Sequence, residues 1–237
     1  MEKVSIVKLA IHQPEFSPWL GFFYKMIKAD LYVVFDHVQF KKRYYENRNR
    51  IVSPRGEVAY IGVPVITKNK FFQSIKDVEI DNTQRWKDKL LKKVQHFYNK
   101  SLYFSDYYND FSALISEKEY NYLIELNMEL INFFRKHFHI STPIAFSSKM
   151  NVNEYKGSDL ILQICLLNKA STYLCGVSGK DYLKVEDFKM SGINIEWLDY
   201  KSPVYKQLCQ NFTPNMSTLD LLFNHGKKGY EILMNKG

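Results

Sequence analysis

The stretch SIVKLAIHQPEFSPWLGFFYKMIKADLYVVFD, residues 5–36, decides the fold. SIVKLAIH and LYVVFD are short apolar runs of the kind that form buried strands. Between them Ser17 and Pro18 offer an N-cap and a first helical residue, and Trp19, Phe22, Phe23, Met26 and Ile27 recur at helical spacing, with Trp19 expected in the core. Strand, helix and strand in this order make a βαβ unit, whose strands run parallel and whose crossover is right-handed. The first run ends in His12, Gln13 and Pro14, and Pro14 and Pro18 are expected to shape a strand-to-helix turn. Polar side chains at such a strand end form the floor on which ligands of parallel sheets bind.

Outward from this unit the pattern changes and then returns. RIVSPRGEVAYIGVPV reads as two strands around a Ser-Pro-Arg-Gly turn, and SIKDVEID alternates like a further exposed strand. Three helices are expected next. The first covers about 83–98 with Trp86, Leu90, Leu91, Val94 and Phe97 inward, the second 104–115 and the third about 120–138. The α/β alternation resumes with IAFSS, a helix capped by Ser158, the strands TYLC and INIEWLDY, and a last helix opening at Ser217 and stopping at Gly226. The reading is a single α/β domain over 1–237: a Rossmann-like, mostly parallel sheet flanked by helices, with a β-hairpin and helical insertion over about 51–140.

A chain of 237 residues buries a core without cross-links. Cys165, Cys175 and Cys209 are odd in number and lack metal-site spacing, so they read as buried thiols, and no metal is expected. The first residues lack the apolar core of a signal peptide and no run approaches a membrane span, which predicts a cytoplasmic protein without membrane insertion. A formal charge of +8 favours anionic partners. Nucleic acid is not expected, because no recognition helix or RNA-module signature occurs.

The charge concentrates in FKKRYYENRNR, residues 40–50, where Lys41, Lys42, Arg43, Arg48 and Arg50 face one acid, Glu46, and interleave with Tyr44, Tyr45, Asn47 and Asn49. Arginine forks suit phosphate, amides suit hydroxyls, and tyrosines offer stacking faces. Three polar groups follow apolar strands and are expected to converge: His12 with Gln13, Asp36 with His37, and GVSGKDYL with Lys180 and Asp181. His96, His137 and His139 receive no role, and Asn215, Asn224 and His225 flank the last helix as caps or pocket-closing groups.

IHQPEFSPWLGFFYKM, VVFDHVQFKKRYYENRNRI, YLCGVSGKDYL and NFTPNMSTLDLLFNHG together resemble the WbqC-like protein family of bacteria over nearly the whole chain. That resemblance implies a place in the assembly of O-antigen and other lipopolysaccharide-type surface glycans, and an acyl- or glycine-transfer activity. The family usually shows a second acidic residue where this chain has His37, so Asp36 and His37 do not form a carboxylate pair. The strand order also resembles pantothenate synthetase and the HIGH-type nucleotidylyltransferases. PWLGFF carries Trp19 and Phe22 in place of their signature histidines, so adenylyl transfer is not implied, while an anion-binding crevice at a helix N-terminus is.

From residues and resemblance together, the expected function is a transferase moving an acyl or aminoacyl group to the amine of a nucleotide-linked (dTDP or UDP) deoxy amino sugar. Acetyl-CoA or another acyl-CoA is the donor, ahead of an ATP-activated acid, since no Walker-type loop is present. His12 is the expected base, with Asp36 and His37 completing the catalytic set. Arg43, Arg48 and Arg50 are expected to hold diphosphate, Asn47 and Asn49 to read hydroxyls, and Gln13, Gln39, Lys180 and Asp181 to complete the substrate contacts. The alternative is a non-catalytic nucleotide-sugar or partner-binding protein of a glycan-assembly complex. The oligomeric state, a homodimer included, is left open.

Overall fold

A computed structural model describes residues 7–234; Ser5 and Ile6 of the first expected strand lie outside the described residues. The chain divides into two compact units: Met1–Gln13, Gly21–His37 and Ser141–Lys201 form the first, and Pro14–Leu20, Val38–Ile140 and Ser202–Gly237 the second.

The first unit is built on five strands, β1 (Lys8–His12), β2 (Leu31–Val34), β5 (Ile144–Phe146), β6 (Thr172–Gly176) and β7 (Asn194–Leu198), in the order β5-β2-β1-β6-β7. Every pairing is parallel, with Ala10 opposite both Tyr32 and Leu174. The chain steps outward from β1 through β2 to β5, then crosses back to the other side of β1 for β6 and β7, so strand order reverses between β1 and β6. Helix α1 (Leu20–Lys28) buries Phe22, Phe23 and Met26, each worth about 1.5–3 kcal/mol of transfer free energy. Helices α5 (Gly157–Leu167) and α6 (Val185–Met190) belong to the same unit, and Phe188 of α6 stacks on Tyr173 of β6. The central strands lack polar alternation because they are buried along their length.

The second unit holds the antiparallel pair β3 (Arg48–Val52) and β4 (Val58–Gly62), with helices α2 (Trp86–Tyr98), α3 (Phe104–Ser116), α4 (Leu123–His137), α7 (Thr218–His225) and α8 (Gly229–Leu233). The turn between β3 and β4 closes because Ser53 Oγ accepts from the Arg55 and Glu57 amides and Gly56 takes a φ of 83°. Phe223 of α7 gathers Tyr98, Phe104 and Phe111 around it, which ties three helices into one core.

Several expectations need correction. Ser17 does not cap α1: it has a φ of 44°, its hydroxyl meets Ser217 Oγ at 2.7 Å, and the helix opens at Leu20. The reason is that Pro14–Leu20 is drawn into the second unit, where Phe16 N donates to Tyr45 C=O and Trp19 bridges to Ser217, so the strand-to-helix connection is an excursion rather than a tight turn. Trp19 is accordingly half-buried, not a core residue. SIKDVEID is no strand; Ser74 bonds Asp77 across a 3-10 turn over Ile75–Asp77, and Gln39, Val65 and Tyr122 make isolated bridges along the segment. In α2 the inward residue of the last turn is Tyr98 rather than Phe97, because its hydroxyl is met by the Val52 amide. Ser158 lies inside the first turn of α5 and accepts from the Lys184 amide, leaving Lys156 at the cap position. Ser217 does cap α7, accepting from the Leu219 amide, and Gly226 ends that helix with a φ of 56°.

Candidate functional site

Because all five strands of the first unit run the same way, their carboxyl ends share one edge, and the residues just beyond them form a row. From β5 outward the row reads Ser147 and Ser148, Asp36 and His37, His12 and Gln13, then Val177–Asp181. Phe35 N donates to the His12 carbonyl at 2.8 Å, which carries the β1–β2 pairing to the strand ends and holds these groups in register. The three polar groups expected to converge thus stand on adjacent strands, β2, β1 and β6.

Asp36 is nearly fully buried, and its carboxylate accepts from Ser147 Oγ at 3.0 Å, Ser148 N at 2.9 Å and Ser148 Oγ at 2.6 Å. Ser147 Oγ also lies 2.6 Å from His37 Nδ1. A hydroxyl has one proton; directed to the carboxylate, it leaves an oxygen that accepts from His37 Nδ1–H, so the chain Asp36–Ser147–His37 fixes both the tautomer and the direction of the imidazole. The hydrogen bonds found for the Asp36 carboxylate lead through Ser147 to His37.

His12 is placed differently. Its Nδ1 is 2.9 Å from the Gln13 carbonyl, which can only accept, and its ring edge meets Phe22 with centroids 5.2 Å apart. Burial, with the Lys25 ammonium nearby, pushes its pKa down to about 4, so at neutral pH the ring is uncharged. A conjugate acid that strong makes His12 a hydrogen-bonding group and a weak base. Lys25, unremarked in the sequence, is itself buried on α1: its ammonium donates to the Ile11 carbonyl at 2.8 Å, and burial lowers its pKa to about 8.

Beyond β6, Val177–Asp181 forms a 3-10 turn with Lys180 and Asp181 exposed, and the Lys180 ammonium stands 5.7 Å from the Trp197 ring centre. The turn packs closely enough that a Cβ on Gly179 would come within 2.1 Å of Cys175 Sγ.

The remaining expected contacts belong to the second unit. Asn49 is fully buried, its amide donating to the Phe16 and Ser17 carbonyls, while Asn47 donates to the Val63 carbonyl; these bonds, rather than ligand hydroxyls, engage both amides. Arg48 lies over the Tyr60 ring at 4.4 Å, Arg50 donates to the Asn215 carbonyl, Gln39 donates to the Phe71 carbonyl, and Arg43 is exposed with a φ of 63°. Ser147 and Ser148, missed from sequence, had one signal: paired hydroxyls directly after the apolar run of IAFSS.

The profile of the WbqC-like protein family matches residues 13–232. The chain belongs to this family. It is also 31% identical, over 95% of its length and 97% of the relative's, to a protein of Mycobacterium tuberculosis (strain ATCC 25618 / H37Rv) described as uncharacterized protein Rv1507c. No solved structure matches the chain. Within this WbqC-like protein no group of three or more metal-ligating side chains occurs among the described residues, and no helix among them is long and apolar enough to cross a membrane.

Proposed function

We propose that this WbqC-like protein transfers an acyl or aminoacyl group to the amine of a nucleotide-linked deoxy amino sugar during bacterial surface-glycan assembly, with an acyl-CoA as donor. The observation that carries the reading is the Asp36–Ser147–His37 chain at the strand ends. In this mechanism substrate entry uncovers the His37 ring, whose second nitrogen is buried in the substrate-free chain, and the ring takes a proton from the sugar ammonium while Nδ1–H stays on Ser147 and the buried Asp36 carboxylate supports the imidazolium through the hydroxyl. The amine forms a C–N bond to the acyl carbon and the thioester C–S bond breaks; of the two protons the ammonium gives up, one leaves on the departing thiol and the other passes from the base to water. Lys180, exposed beyond β6, supplies a cation for the diphosphate that sugar nucleotides and CoA have in common.

The test is a mass-spectrometric transfer assay with acetyl-CoA and dTDP- and UDP-linked amino sugars. His37→Asn should lower the rate by roughly a hundredfold or more, the usual contribution of a positioned base. Equal rates in parent and variant would remove His37 from the chemistry. A second reading, non-catalytic recognition of a nucleotide sugar, is favoured by the low pKa of His12, which suits binding better than proton abstraction. Saturable binding of a sugar nucleotide without turnover of any donor would select it.

A further inference from the structure

The largest exposed rings in the described residues are adjacent: Phe71 is 78% and Phe72 88% exposed. They do not hang from a loose loop. Lys70 N donates to the Thr67 carbonyl to close a turn in which Asn69 has a φ of 59°. Gln73 Nε2 donates to the Ile66 carbonyl across that turn, Gln39 Nε2 holds the Phe71 carbonyl at 3.0 Å, and Phe40 N holds the Gln73 carbonyl at 3.0 Å. These bonds lay residues 39–40 beside 71–74, so the basic run that follows Phe40 leaves from the same tip: Lys41, Lys42 and Arg43 are exposed there, with Tyr44 half exposed under the Lys41 ammonium. Lys68 adds a fourth exposed cation, whereas Lys70 is paired with Glu79. Of the acids nearby, Glu79 is engaged by Lys70 and Asp77 by Ser74, and Glu46, close to Lys41, is buried.

Two apolar rings projecting from a hydrogen-bonded tip and bordered by exposed positive charge match an anionic lipid surface: rings enter the headgroup boundary while cations meet lipid phosphates. We infer that the Phe71–Phe72 tip docks this protein peripherally on an anionic membrane. The chain is not thereby anchored through the bilayer, since only two side chains enter the interface. This inference goes beyond the transfer reaction and does not depend on it.

The test is co-sedimentation with sucrose-loaded vesicles of phosphatidylcholine, with and without a quarter phosphatidylglycerol. The parent should partition onto the anionic vesicles, far less onto neutral ones, and less as salt is raised. The double variant Phe71→Ser/Phe72→Ser should lose at least about tenfold in partition, and Lys41→Glu/Lys42→Glu a comparable amount. In a separate variant, Phe72→Trp, emission should shift to the blue on anionic vesicles only, a readout that needs no loss of ring. No partition of the parent onto anionic vesicles, or equal partition of parent and serine variant, overturns the proposal. So does a parent that light scattering shows to be a dimer, made monomeric by the serine substitutions, without vesicle binding; the tip would then join two copies of the chain.

Discussion

The Ser147 hydroxyl lies 2.6 Å from Nδ1 of His37, although the two residues are 110 positions apart in the chain. β2 and β5 are neighbours in the parallel sheet, so the residues following each strand meet at its carboxyl edge. Ser147→Ala should remove the bridge to Asp36 and leave the Ser148 bonds in place, costing about 1.5–3 kcal/mol for a lost hydrogen bond to a charged group. Nitrogen NMR should show His37 as the Nδ1–H tautomer in the parent and a mixture in the variant; the same tautomer in both would remove Ser147 as the orienting group.

His12 should remain neutral throughout the physiological range. Its folded pKa of about 4 lies below the ordinary 6.5, so its stabilising preference for the neutral ring is fully present above about pH 6.5 and is lost as pH falls toward 4. His12→Asn should therefore keep parental stability at pH 7 and unfold less steeply with acid between pH 6.5 and 4. An NMR titration midpoint for His12 between 6 and 7 would contradict this burial effect.

In the second unit, Glu15 and Glu46 are both buried; burial and, for Glu15, the neighbouring Glu46 carboxyl raise their pKa values to about 8 and about 7. From the ordinary value of 4.5 up to these values the folded protein holds more protons than the unfolded chain, so stability falls as pH rises from about 5 to 8. The slope is up to about 1.4 kcal/mol per pH unit for each proton of difference. Glu46→Gln should match the parent at pH 5 and exceed it at pH 8 in urea denaturation. A constant difference between the two proteins across that range would show that Glu46 does not titrate there.

Two glycines at and just after the end of β6 should respond differently to alanine. Gly179→Ala drives a Cβ against Cys175 Sγ and Trp197, an overpacking worth about 1–3 kcal/mol, while a Cβ on Gly176 meets nothing within 4 Å. A lowered melting temperature for Gly179→Ala alone is the expected result; equal melting of both variants would mean that the turn yields at little cost.

The βαβ start, the parallel strands and the helix run from residue 83 to residue 138 were legible because periodicity reports which face is buried, and burial dominates those elements. The strand-end position of His12, Asp36 and Lys180 was legible for the same reason: parallel strands put their polar exits on one edge. Local signals failed where a distant segment competed for the same groups. Ser17 and Pro18 carry a helix-start pattern, yet Ser217 takes the Ser17 hydroxyl and Asn49 its carbonyl, and the helix begins later. Alternation in SIKDVEID suggested a strand, but the bonds along it go to Val38, Ser74 and Asn121 rather than to one continuous partner.

Sequence alone determined the class of fold and the edge at which the candidate site lies, because both follow from short-range patterns of apolar and polar residues. Tertiary structure decided which side chains act on one another there. It joined His37 to Asp36 through a serine in the turn just after another strand, desolvated His12 so that its ring is neutral at neutral pH, and committed Asn49 to backbone carbonyls. Hydrogen bonding and desolvation depend on atoms brought together from distant parts of the chain, and no local pattern records them.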